Sequence, residues 1–75
     1  MKPYEIKSGR TYRGKGPRET RRTVLYVGMD RPEGWSDRPM EPVVHYSQVI
    51  SGFLRDYWLY LDSFAHWAGS EEVRP

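Results

Sequence analysis

The chain has no cysteine, and its 75 residues include only two histidines. The first absence excludes a disulfide scaffold, a thiolate zinc site and a cysteine nucleophile together. The second leaves His45 and His66 without a third nitrogen or sulfur ligand, so a zinc site is not expected, and Asp62, four residues before His66, reads as its partner in a helix-surface ion pair. No run approaches the roughly eighteen apolar residues of a membrane span, and the opening MKPYEIKSGR lacks the apolar stretch of a signal peptide. The expectation is a cytoplasmic protein with no membrane partner.

Apolar residues are scarce at 37%, yet aromatics reach 15%. Large rings close a small core with fewer residues, so the chain reads as folded. A chain of this length forms one domain and buries only about 60% of the surface its unfolded form exposes, which leaves little material for a deep cleft. A non-enzymatic protein without a cofactor is expected. Ser47, Ser51 and Ser63 lie near the histidines in sequence but lack a nucleophile elbow or an oxyanion loop. The glycines around Lys15, in GRTYRGKG, lack the Ser/Thr and the strand–loop–helix setting of a phosphate-binding loop.

What the chain does have is an uneven charge and a β pattern. Residues 1–29 carry a net charge of +6 and residues 30–75 one of −4, which makes the molecule dipolar if the fold keeps the halves apart. A short first strand is expected over Tyr4 to Ile6 or Arg10 to Arg13, followed by a hairpin loop at Gly14–Pro17. Thr20 to Met29 is the clearest strand, with Leu25, Val27 and Met29 on one face and Val24 and Tyr26 on the other; two apolar faces imply a central position. Asp30 to Pro42, with three prolines and no apolar period, reads as a long loop around Trp35, which either folds back as a lid or stands out as a binding anchor. Val43 to Val49 and Tyr57 to Leu61 are strands joined by Ile50–Asp56. Asp62 or Ser63 then caps a helical turn that places Phe64, Trp67 and Ala68 on one face and stops at Gly69. The ordered core is expected over residues 4–69, with a frayed tail over 70–75.

The fold class read from this order is mainly β, a small SH3-like antiparallel barrel of four to five strands with a short C-terminal helical turn. The segments GRTYRGKG, RRTVLYVGMD, EPVVHYSQV and YWLYLDSFAHWAG carry a G-x-x-Y-R opening, a V-L-x-x-G strand, a V-V-x-Y strand and an S-F-x-x-W ending. In these the chain resembles short SH3-like proteins of unknown function from bacteria and their phages, across Gly9 to Gly69. The resemblance implies a phage or prophage setting and carries over no activity. The acidic-aromatic signature of SH3 domains that bind proline-rich peptides is not found, so that mode of recognition is not expected.

Two binding readings follow. Arg10, Tyr12, Arg13, Lys15, Arg18, Arg21 and Arg22 would gather on one hairpin, with Tyr12 available to stack, a mixture suited to single-stranded nucleic acid or to an acidic partner. The competing interpretation puts Tyr12 in the core and makes the arginines a solvated edge that discourages aggregation. Trp35, Arg38 and Met40 are the residue types that anchor protein interfaces, and they point to a host protein as partner, such as a defence protein like a CRISPR effector. Protein binding is placed ahead of nucleic-acid binding, and the chain is expected to be a monomer or a homodimer.

Overall fold

Phe64 organises the fold. In the computed structural model, which describes residues 1–16, 20–31 and 39–72, its ring is fully buried and lies 5.8 Å from Tyr12, 5.4 Å from Tyr46 and 5.2 Å from Trp67. Around these rings pack Ile6, Val24, Val44, Ala65 and Ala68. The core thus has an aromatic centre and an aliphatic shell, as the composition implies.

The elements that deliver these side chains are a 3-10 turn at Pro3–Glu5 and strands β1 (Thr11–Gly14), β2 (Arg21–Asp30), β3 (Glu41–Ile50) and β4 (Phe53–Tyr60). Helix α1 (Leu61–Trp67) and strand β5 (Ala68–Glu71) follow. All five strands are antiparallel neighbours in one open sheet of order β4-β3-β2-β1-β5. β2 is central, as its two apolar faces imply. α1 lies on one face of the sheet, and on the opposite face Val43 is also buried; the amino group of Met1 donates to the carbonyls of Ala65 and Ala68, both at 3.0 Å, and ties the N-terminus to the end of the helix. A positive group at that end also meets the negative pole of the helix dipole.

The sheet is open, where a barrel was expected, and three further differences from the sequence expectation bear on the surfaces described below. In β2 the register against β3 shifts between Val24, opposite Tyr46, and Tyr26, opposite His45. This bulge at Leu25 resets the alternation, so Val24 and Val27 both reach the helix side instead of opposite faces. The segment Ile50–Asp56 is no connector: β4 begins at Phe53, and only Ser51 and Gly52 form the turn, with φ of 52° and 82°. Two successive positive φ values define a type I′ hairpin turn. Finally, Ser70 and Glu71, expected in a frayed tail, belong to β5, and Glu72 donates its backbone N–H to the Thr11 carbonyl at 2.8 Å. The AGSE segment has little β propensity of its own; pairing with β1 holds it extended.

Candidate binding surfaces

The register of β1 against β2 decides what the basic residues do. Tyr12 stands opposite Arg22, and Arg13 opposite Arg21, so the set is split between the two faces of the sheet. Tyr12 points into the core with no exposed surface; its hydroxyl donates to the Glu5 carbonyl at 2.9 Å and accepts the Lys7 N–H at 2.8 Å. It offers no ring for stacking, and burial raises its pKa above the ordinary phenol value. Arg22, on the same side, is sandwiched 4.8 Å from the Tyr46 ring and 4.2 Å from the Trp67 ring, with its Nε donating to Gln48 Oε1 at 3.3 Å. Burial lowers the pKa of this guanidinium. The Trp67 indole also lies over Gly14, where an added Cβ would stand 2.7 Å from Nε1. Arg22 is therefore part of the packing.

The other arginines face carboxylates that β5 supplies. Arg10 meets Glu71 at 3.0 Å, while Arg13 and Arg21 converge on Glu72 at 3.0 and 3.4 Å. Each such partly exposed pair contributes less than about 1 kcal/mol, but together they offset the positive field of the hairpin. Lys15 is exposed, and Arg18 lies outside the described residues, as do Trp35 and Arg38. Met40 is exposed just before β3.

Among the described residues the largest concentration of exposed apolar side chains lies elsewhere, at the tip of the β3–β4 hairpin. Val49, Ile50, Phe53 and Leu54 are 64%, 39%, 67% and 69% exposed. Val49 is opposite Leu54 and Ile50 opposite Phe53, so the tip is apolar on both faces of the sheet. The tip and Met40 stand at opposite ends of β3, roughly 30 Å apart at strand rise. Sequence reading missed this site by treating the segment as a connector. The signal was present: Ser-Gly between two apolar pairs is the composition of a two-residue hairpin turn.

The face opposite α1 adds two features. Beside the tip a shallow trough of about 730 Å³ runs over Thr11, Thr23 and Ser47, between Arg21 and Glu72 on one side and Leu54 on the other. Farther along the same face Tyr26, His45 and Trp58 stand directly opposite one another across three strands. Tyr26 and His45 meet edge to face at 5.7 Å. Carboxylates flank this row: Asp30 lies 4.0 Å from His45 Nε2, and Asp56 precedes Trp58 by two residues on the same face. Thus Asp30, not Asp62, supplies a histidine partner, and His66 is exposed on α1. Among the described residues no group of three or more His, Asp or Glu is placed to hold a metal ion, and no helix is long and apolar enough to cross a membrane.

Compared with protein-family models, with curated proteins and with solved structures, the chain has no match.

Proposed function

We propose that the protein is a small non-enzymatic binding module that engages a protein partner through the tip of its β3–β4 hairpin. The observation that carries this reading is the two-sided exposure of Val49, Ile50, Phe53 and Leu54 around a two-residue turn. A strand segment apolar on both faces is suited to burial on both faces, and among the described residues none covers either face of the tip. The four-stranded meander β1–β4, with α1 leading to a β5 that pairs back on β1, supports an SH3-like reading of the architecture.

Nucleic-acid binding by the basic hairpin ranks second. Its arginines are spread over both faces, three meet Glu71 or Glu72, and its one aromatic residue is in the core. The deciding experiment presents wild type and a Phe53→Ser/Leu54→Ser variant as immobilised bait to a lysate of the natural host. The reading requires a protein species retained by wild type and lost with the variant at unchanged melting temperature. Equal retention by both, or salt-sensitive binding of single-stranded nucleic acid that an Arg13→Ala/Arg21→Ala variant abolishes, overturns it.

A further inference from the structure

The open sheet has two free edges, and they are unlike each other. β5 is four residues long, contains Gly69, and its register with β1 breaks between Arg13 and Gly14. These are the devices that keep an edge from pairing. β4 is neither short nor bulged: it is eight residues long, holds no proline, and pairs with β3 over eight consecutive positions without a shift, and its charges are limited to Arg55 and Asp56. Among the described residues nothing pairs with its other side.

The hairpin turn sets which groups that side presents. A type I′ turn is closed by a hydrogen-bonded pair, here Ile50 and Phe53, and hydrogen-bonded and non-bonded pairs alternate from there. The N–H and C=O groups of Phe53, Arg55, Tyr57 and Leu59 therefore turn toward β3. Those of Leu54, Asp56, Trp58 and Tyr60 turn toward the open edge.

From this edge we infer that the protein forms a two-fold dimer in which β4 pairs antiparallel with β4 of a second copy, with Tyr57 on the axis. The choice of axis follows from charge and length. An axis at Arg55 would oppose two guanidinium groups, and one at Asp56 two carboxylates, both unfavourable for directly facing residues. An axis at Leu54 leaves most of the strand unpaired, and one at Trp58 runs the pairing into α1. With Tyr57 on the axis, Leu54 faces Tyr60, Arg55 faces Leu59 and Asp56 faces Trp58 of the second copy. No like charges meet, and every outward N–H and C=O from Leu54 to Tyr60 gains a partner. The pairing also lays the exposed Leu54 of each copy beside Tyr60 of the other. Val49, Ile50 and Phe53 of each hairpin tip lie outside the paired segment, so the dimer is bivalent for the partner proposed above.

The absence of cysteine makes the register testable. Tyr57 on the axis forms a non-hydrogen-bonded pair with its own copy, the pair type in which side chains come closest. Under mild oxidation a Tyr57→Cys variant should form a disulfide-linked dimer, whereas Arg55→Cys and Leu59→Cys should each form no disulfide alone and cross-link when mixed. Sedimentation of the unmodified chain should show a monomer–dimer equilibrium. An Asp56→Pro variant, which removes an outward N–H and leaves the β3 ladder intact, should weaken that equilibrium at least about tenfold without loss of fold. A wild-type monomer throughout the concentration range, or equal cross-linking at all three cysteine positions, overturns the inference. A Phe53→Ser bait, which leaves the paired segment Leu54 to Tyr60 unchanged, tests the protein-partner reading separately, and Asp56→Pro keeps the tip intact, so the two can fail independently.

Discussion

Phe53 and Phe64 are the only phenylalanines in the chain, and they have opposite surroundings. Phe64 projects from α1 into a shell of three rings and is fully buried; Phe53 stands at a hairpin tip with two thirds of its surface in water. The contrast separates a region whose apolar residues make the fold from one whose apolar residues the fold does not use. Substitutions should therefore act on stability at one site and on binding at the other.

The largest effect is expected at the core. Phe64→Ala should remove about 3–5 kcal/mol, comparable with the whole stability of so small a domain, and circular dichroism should show an unfolded or loosely packed chain at room temperature. Trp67→Ala comes next at about 3 kcal/mol, because the indole is half-buried and its loss also uncovers Arg22. Chemical denaturation should rank the two in that order.

Tyr12→Phe probes the same region by a polar route. It leaves the Lys7 N–H and the Glu5 carbonyl without their hydroxyl partner, at a cost of about 1–3 kcal/mol. It should also change the response to alkali. Burial raises the Tyr12 pKa above 10.0 in the folded state, so its contribution is complete below that value. As pH climbs past it, the unfolded chain loses the phenolic proton while the folded chain holds it, and stability falls until the folded pKa is passed. Denaturation midpoints measured across the alkaline range should decline more steeply for wild type than for Tyr12→Phe.

The smallest effect sharpens the contrast most. Phe53→Ser should change stability by no more than about 0.5 kcal/mol. If it destabilises the protein as Phe64→Ala does, the tip belongs to the core and the comparison between the two regions collapses.

The parts of the fold legible in the sequence were those whose signal is local. TRRTVLYVGM shows its central strand through β-branched and aromatic residues on both faces, and the S-F-x-x-W spacing shows the helix face that buries Phe64. The helix start was read two residues late, since Tyr60 is the N-cap and Asp62 sits in the first turn, where its charge favours the helix dipole. The Leu25 bulge, the β5 pairing and the convergence of Arg13 and Arg21 on Glu72 depend on residues far apart in the chain. No window of neighbouring residues contains them. For the candidate site, the arginines were legible as a group, but their carboxylate partners and their division between faces were not. The apolar tip was legible in V-I-S-G-F-L as a Ser-Gly turn between apolar pairs, but its exposure was not, because that depends on what the rest of the fold leaves uncovered.

The β1–β5 pairing carries a consequence for the order of folding. The β3–β4 hairpin closes through a two-residue turn, a local event on the microsecond scale. β5, in contrast, must find β1 across nearly the whole sequence: Arg10 and Glu71, which meet there, are 61 residues apart. Closing so large a loop has the highest entropic cost of any contact in the sheet, and AGSE brings little apolar surface to offset it. Until that contact forms, the arginines of β1 and β2 lack the carboxylates of Glu71 and Glu72. Any state in which β1 and β2 have paired and β5 has not is therefore more basic on its β1 side than the folded molecule.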